Sequence, residues 1–480
     1  MSKKYGLLMA ICMVVGVVIG SGVFFKVQNI LEITQGNVIS GVLALVIGGI
    51  IMIICATTFS FLATKYTKIN GIVDYSHEVV GKSYGSMVSW FLATIYYPAM
   101  TSVLVWVTAR YTGVLFGWEI TGANVMTLGV AYFVSFIPVY AFAPILAGKL
   151  LISTTVIKLI PLFLMGIVGL IYGLINNIVM FEVIDDEVIN TGKDSFQILI
   201  ENLKSSSDFN FKSMLKALVA AAFAYEGWMI ATSISEELHD AKKNLPKALL
   251  FGTIIIMVVY VLYYLGVVGG ATTDVLIKGG AQFAFLQIFG SFFGTLLNVF
   301  VVISCIGTLN GLMVATTRAF YTIGKRDESK RFDMFKTVDK DTKMPMNSVV
   351  IGIVLIGIWY VFFYGTNLTE SWFKEFSFDS SELPIITMYA MYFPIFINMI
   401  RKERKDLGVF KGIILPILAI ISSGFMVFAA IYAHGINVIY YLIVYIVVMA
   451  FGILLFKLPV KQKKENAEIV YVYLIFKLEL

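Results

Sequence analysis

The sequence predicts an all-α polytopic membrane protein with twelve transmembrane helices. Three observations carry that expectation. Of 480 residues, 59% are apolar or aromatic and only 14% are charged, where a soluble protein carries roughly 25% charged residues. Apolar stretches of about 18 or more residues, enough to cross roughly 30 Å of hydrocarbon, recur from end to end. The basic residues fall mostly between alternate stretches. Such a chain is not an ordinary cytosolic enzyme, a disordered protein or a secreted disulfide scaffold.

The apolar stretches lie at 6–29, 38–63, 84–112, 124–146, 150–176, 213–236, 247–270, 284–323, 346–364, 378–400, 412–433 and 437–457. The stretch at 284–323 is overlong and has to tilt or extend past the bilayer. Met1 to Lys4 followed by an apolar run has the outline of a signal peptide. The run outlasts about 15 residues and no small-x-small site closes it, so it is read as a retained first span.

Orientation follows from Lys and Arg. Of the 36 basic residues, only Lys26, Arg110, Lys193, Lys204, Lys212, Lys278 and Lys374 fall on the side opposite the N-terminus. Both termini are therefore expected in the cytoplasm. The net charge of +6 is spread between apolar stretches rather than along one face, which argues against nucleic acid. Cys12, Cys55 and Cys305 sit inside apolar segments and make neither a disulfide framework nor a metal-ligand spacing. Neither cofactor nor metal is expected.

Two interruptions carry the functional argument. The first span contains Gly16, then Gly20, Ser21 and Gly22; the sixth contains Phe223, Ala224, Tyr225, Glu226, Gly227 and Trp228. Each glycine costs on the order of 1 kcal/mol of helix propensity relative to alanine. Gly20 lies 14 residues past residue 6, and Glu226 lies 13 past residue 213. At ~1.5 Å per residue both are about 20 Å deep, from opposite faces. Unwound backbone at that depth must line a cavity or be buried in protein. Spans one and six would be equivalent if the chain were two five-helix repeats of opposite topology (6–176 and 213–400), followed by two accessory helices in 411–457. Matching glycine-interrupted segments point to a transporter's substrate site. Close packing of small residues is the other reading, and Gly16 and Gly20 have GxxxG spacing.

The chemistry of such a site follows from helix ends. A half-helix starting at Gly22 presents free N–H groups and a positive dipole end, which suits a carboxylate. Unwound carbonyls suit an ammonium group. Together they describe a receptor for the zwitterionic part of a free amino acid.

Several strings then carry a resemblance: GVVIGSGVF at 16–24, KINGIVDY at 68–75, FAYEGW at 223–228 continuing to Glu236-Glu237-Leu238 and to KNLPKA at 243–248, and Leu309-Asn310-Gly311 leading to Thr317-Arg318. The chain resembles the amino acid–polyamine–organocation superfamily, in particular its L-type amino acid transporter branch and the related bacterial permeases. The resemblance implies the leucine-transporter fold with a 5+5 inverted repeat and alternating access. It implies that Gly20, Ser21 and Gly22 hold the substrate carboxylate, and that backbone around Ile19, Phe223, Ala224, Glu226 and Gly227 holds the amine. Phe223 would be the aromatic gate. Met229 departs from the pattern, because many relatives carry a polar residue there; a thioether makes a softer pocket wall.

Lys158 sits eight residues into 150–176, about 12 Å deep. A lysine near mid-membrane costs on the order of 2.5–3.5 kcal/mol and usually has a partner. In sodium-independent relatives a lysine here resembles a built-in replacement for sodium, bridging spans one, five and eight, with Ser304, Thr308 and Asn310 of span eight as possible neighbours. A packing role and ordinary interhelical hydrogen bonds are the plainer readings. Glu226 has three open roles: selecting a cationic side chain, carrying a proton, or bonding the unwound backbone. Glu236, Glu237 and Arg318 lie at cytoplasmic span ends, either as inner-gate ion pairs or as interfacial charges of small effect.

The loop at 177–212 clusters Glu182, Asp185, Asp186 and Glu187, as a solvated acidic loop or a calcium site. The apolar tail 469–476 is too short to span. His77, His239 and His434 fall in separate loops with no ligand spacing, which argues against an enzyme, and no TVGYG-type filter suggests a channel. Residues 111–124 hold no cysteine, so the disulfide-linked glycoprotein subunit of animal relatives is not expected. The expected function is a sodium-independent exchanger of neutral or cationic amino acids in a plasma membrane, prokaryotic by the style of its loops. A proton-coupled amino acid or polyamine symporter and a non-transporting amino acid sensor are the alternatives.

Overall fold

A computed structural model of the chain describes residues 6–66, 71–119, 121–142, 158–169, 181–184, 187–190, 195–204, 209–232, 238–326, 331–340, 344–366 and 372–457. Among these residues seven helices are long and apolar enough to cross a membrane, and eight if the bent pair Leu7–Val18 and Gly22–Ile33 is one span. The sequence expectation of twelve differs for identifiable reasons. Residues 143–157 and 170–180 lie outside the described set, which interrupts the stretches at 124–146 and 150–176. The sixth stretch is divided into Phe211–Ala224 and Trp228–Ala231. The stretches at 378–400 and 412–433 form one run, Leu383–His434, that turns at Gly408, whose φ is +72°.

Two further differences are local. The overlong stretch at 284–323 becomes the helix Ala281–Arg326, relieved by a turn at Gly290 with φ +75°; glycine enters that region without steric cost. The all-α expectation has one exception, a hairpin within 177–212. Phe181–Ile184 pairs antiparallel with Glu187–Asn190, Phe181 opposite Asn190 and Ile184 opposite Glu187. Asp185 and Asp186 lie outside the described residues.

The core is built around the two broken helices. Leu7–Val18 packs on Ala241–Val268, which in turn packs on Val38–Lys65. Phe211–Ala224 is wedged between Val38–Lys65, Gly22–Ile33 and Leu415–His434. Asn37 starts the 38–65 helix by accepting from the Ser40 amide at 2.7 Å, and Asn210 does the same for Lys212 and Ser213 at 2.9 and 3.2 Å; these caps satisfy donors that a helix start leaves free. The outermost helix, Asn437–Lys457, leaves Ile439, Ile446, Val447 and Leu454 more than half exposed, as suits a lipid-facing surface.

Candidate functional site

The first break is made of small residues. Leu7–Val18 ends at Ile19, the chain passes through Gly20 and Ser21, and a new helix starts at Gly22 at an angle of 51° to the first. Ile19, Gly20, Ser21 and Gly22 are all buried. A Cβ at Gly20 would stand 2.9 Å from Thr308 Oγ1, and one at Gly22 would stand 3.0 Å from the Ala224 Cα and 3.1 Å from the Phe223 carbonyl. The first break therefore lies backbone to backbone against the second. Ser21 Oγ is buried without a hydrogen-bond partner among the described residues.

The second break has a different construction. Phe211–Ala224 ends in a turn in which the Glu226 amide donates to the Phe223 carbonyl at 3.3 Å. Gly227 follows with φ +107°, and a Cβ there would also meet the Val17 carbonyl at 3.3 Å. Only glycine takes that conformation without strain. Flanking rings fix the turn on both sides. Tyr225 donates to the Leu45 carbonyl at 2.8 Å, and Trp228 is buried against Phe59 and Tyr392 with ring centroids 5.7 and 5.9 Å away. The half-buried Glu226 carboxylate then turns toward Tyr96, whose hydroxyl donates to Oε1. Tyr96 closes a wide helical turn, Leu92–Tyr96, just before Pro98, whose ring nitrogen has no proton to give. The Thr94 carbonyl within that turn accepts from Trp359 Nε1 at 3.1 Å.

Two side chains tie the breaks to the rest of the bundle. Lys158 is 7% exposed and donates to the Gly16 carbonyl. An unbroken helix would spend that carbonyl on the amide four residues on; near a helix end it is free to accept. Tyr260 lies in Ala241–Val268, and its hydroxyl is 3.3 Å from the Val18 carbonyl and 3.0 Å from the Ala224 carbonyl. One phenol thus serves the last carbonyls of both interrupted helices.

A cavity of about 290 Å³ comes as near the second break as Met229, lined also by Gly71, Tyr97, Gly311, Val314 and Arg318 among others. Its lining includes neither Gly20, Ser21 and Gly22 nor Phe223, Glu226 and Gly227. The opposite face is shut by rings. Phe25 packs edge-on against Phe223 at 6.2 Å and against Trp106 at 5.7 Å, and Arg110 lies 5.9 Å from the Phe25 centroid and 5.3 Å from that of Trp106. Among the described residues, the cavity lies on one side of the breaks and the packed rings on the other.

The structure brings Ile19, Gly20, Gly22, Phe223, Ala224 and Gly227 into one place, with Glu226 beside them. Lys158 reaches the first break, where among the described residues its hydrogen bond is to the Gly16 carbonyl. Thr308 packs on Gly20, with its hydroxyl donating to the Ser304 carbonyl at 3.0 Å. Arg318 is exposed at the cavity, while Glu236 and Glu237 lie outside the described residues. An ion pair on that face joins instead Arg326 and Asp74 at 2.6 Å. Beside it, Lys65 pairs with Glu403 and Asp406. The Tyr66 hydroxyl also donates to Glu403, at 2.7 Å. Burial, then the Glu403 carboxylate, pushes the Tyr66 phenol up to about 12.

Sequence reasoning missed Tyr96 and Tyr260. Both are single tyrosines among 25, in apolar runs where an aromatic is ordinary. The available signal for Tyr96 was Tyr97-Pro98 inside an otherwise helical stretch, which foretells a local widening.

Comparison with known proteins agrees with this architecture. An amino acid permease family matches residues 5–455. The chain is similar to the serine/threonine exchanger SteT of Bacillus subtilis (strain 168), 26% identical over 435 residues, covering 89% of this chain and 90% of that one. It is 24% identical to the mouse b(0,+)-type amino acid transporter 1 over 438 residues, 90% of this chain and 83% of that one. The human cystine/glutamate transporter is 22% identical over 365 residues, 74% and 68% of the respective chains. With the matched family spanning nearly the whole length and both interrupted helices within it, the chain belongs to the amino acid permeases of the amino acid–polyamine–organocation superfamily, multi-pass membrane transporters and not enzymes.

Proposed function

We propose that this permease is a sodium-independent exchanger of neutral or cationic amino acids, working by alternating access on a 5+5 inverted repeat with two accessory helices. The observation that carries the reading is Lys158, a buried cation donating to the Gly16 carbonyl at the mouth of the first break. A fixed ammonium there does what a bound sodium ion would do, neutralising carbonyls that the break leaves unpaired. The proposed receptor has the Gly20–Gly22 amides for the carboxylate and the carbonyls around Ile19 and Phe223 for the amine. Phe223 is its far-side lid, and the cavity is the exit on the other side. The similarity to a serine/threonine exchanger supports exchange over one-way uptake. We place both termini in the cytoplasm of a prokaryotic cell and expect no disulfide-linked subunit.

Glu226 supports a second reading, proton coupling, because its carboxylate is deep in the bundle with the Tyr96 hydroxyl donating to it. The test is uptake into proteoliposomes preloaded with an amino acid mixture, over a labelled panel, with and without sodium and a pH gradient. Trans-stimulated uptake without sodium supports exchange. Uptake driven by a proton gradient into unloaded vesicles, and lost in Glu226→Gln, favours the proton reading. Binding without uptake would favour a sensor.

A further inference from the structure

Three ionisable side chains from separate elements meet beneath the closed face. Lys26, in Gly22–Ile33, donates to Glu382 Oε1 at 2.6 Å and to Ser381 Oγ at 3.3 Å. The other oxygen of Glu382, Oε2, lies 3.1 Å from Nε2 of His434, the last residue of Leu415–His434. The side chains of Lys26 and Glu382 are 3% and 6% exposed, and that of His434 is 16% exposed. Asp379 Oδ1 accepts from the Ser381 amide, the Ser381 hydroxyl and the Glu382 amide, which fixes the approach to the carboxylate. The Lys26 ammonium also lies 5.2 Å from the centroid of Phe223 and 5.3 Å from that of Phe25. The cluster therefore rests on the aromatic lid.

We propose that Lys26, Glu382 and His434 form a proton-sensitive latch, in which protonated His434 holds the far face shut over Phe223 and its deprotonation frees the Gly22–Ile33 half-helix to open. The argument is one of charge. Glu382 and Asp379 face the imidazole from the segment before Leu383–Val409, and Lys26 faces it from Gly22–Ile33. Tyr441, on the neighbouring last helix, is engaged with Thr387 at 2.7 Å. With a neutral imidazole, one cation opposes two carboxylates, that of Glu382 buried and that of Asp379 partly exposed. A proton on His434 balances them. Unbalanced buried charge is costly, and opening would hydrate Glu382 and remove the imbalance. The closed arrangement consequently takes up a proton more readily than an open one, and by linkage acid on that side favours closure. Histidine is the side chain suited to report this between about pH 5 and 8.

This inference rests on the exchange reading, and its test separates the two. Trans-stimulated exchange is measured in proteoliposomes while the pH is changed from about 8 to about 5.5 on one side at a time. Acid on the latch side should slow the native chain about three- to tenfold, with little response from the cavity side. His434→Gln keeps a donor for Glu382 but cannot titrate, so it should exchange at the native high-pH rate and lose the response. An unchanged pH profile in His434→Gln overturns the latch, as does acid that speeds the native chain.

Should the native chain exchange nothing, the exchange reading fails and the latch is read by labelling instead. Ser381→Cys is treated with a membrane-impermeant maleimide, and its reactivity is divided by that of Ser381→Cys/His434→Gln to cancel the thiol's own titration. A ratio that falls with acid supports the latch, and a ratio independent of pH overturns it. Lys26→Gln should raise labelling of Ser381→Cys at every pH; protection at the native level overturns the role given to the ammonium.

Discussion

The two breaks do the same thing to their helices by different means. Gly20-Ser21-Gly22 interrupts with residues that have almost no side chain, and the gap is closed by the backbone of the other break. Tyr225-Glu226-Gly227 interrupts with two large groups and one glycine at φ +107°. Its side chains reach outward to Leu45 and Tyr96. The first break is thus a surface of amides and carbonyls, uniform from one amino acid to another. The second adds a carboxylate and a neighbouring thioether, Met229, at the cavity. In the receptor we propose, the first break reads what every amino acid shares, and the second reads what distinguishes them.

Four substitutions test that division. The largest effect is expected from Gly22→Val, whose branched side chain would be driven into the Ala224 backbone at 3.0 Å, an overpacking of about 1–3 kcal/mol where nothing flexible can yield. Amino acid binding by the purified protein should vanish while it still elutes as a folded monodisperse species. Retained binding would remove the first break from the site. Next is Lys158→Ala, which leaves the Gly16 carbonyl unpaired beside the break. Exchange should fall roughly a hundredfold, about 2.7 kcal/mol, within the range for a buried charged hydrogen bond, with part of the binding kept. Normal turnover would reduce Lys158 to a packing residue.

Gly227→Ala should cost about 1–3 kcal/mol of stability through its left-handed backbone. It should affect substrates unequally, read as a drop in unfolding temperature and a changed preference among amino acids; a uniform loss would contradict the division of labour drawn above. The smallest effect belongs to Tyr260→Phe. It removes one hydroxyl at a cost of about 1 kcal/mol, and exchange should slow about fivefold without a change of preference among amino acids. A shift in preference would move Tyr260 into the second break's role.

The breaks were legible because glycine pairs and a carboxylate at mid-membrane depth conflict with a continuous apolar helix. Lys158 was legible for the same reason, a charge where charge is expensive. The partners of these residues were not. Tyr96 and Tyr260 satisfy every local expectation for an apolar span, and only packing shows what their hydroxyls meet. Lys26 and Glu382 are 356 positions apart, so no spacing rule could join them; each lies near the end of a different apolar stretch, 6–29 and 378–400. Arg318 lies at the cavity, and the partners expected for it, Glu236 and Glu237, lie outside the described residues. The bends at Gly290 and Gly408 were invisible because one glycine in an apolar run is common, and whether it turns depends on what lies beside it.

The Tyr260 hydroxyl has one proton, and two carbonyl oxygens, those of Val18 and Ala224, lie within its reach. That one proton can serve only one of the two oxygens at a time. An ammonium group carries three donors. In the receptor we propose, a substrate amine at this junction serves the oxygen that the phenol does not.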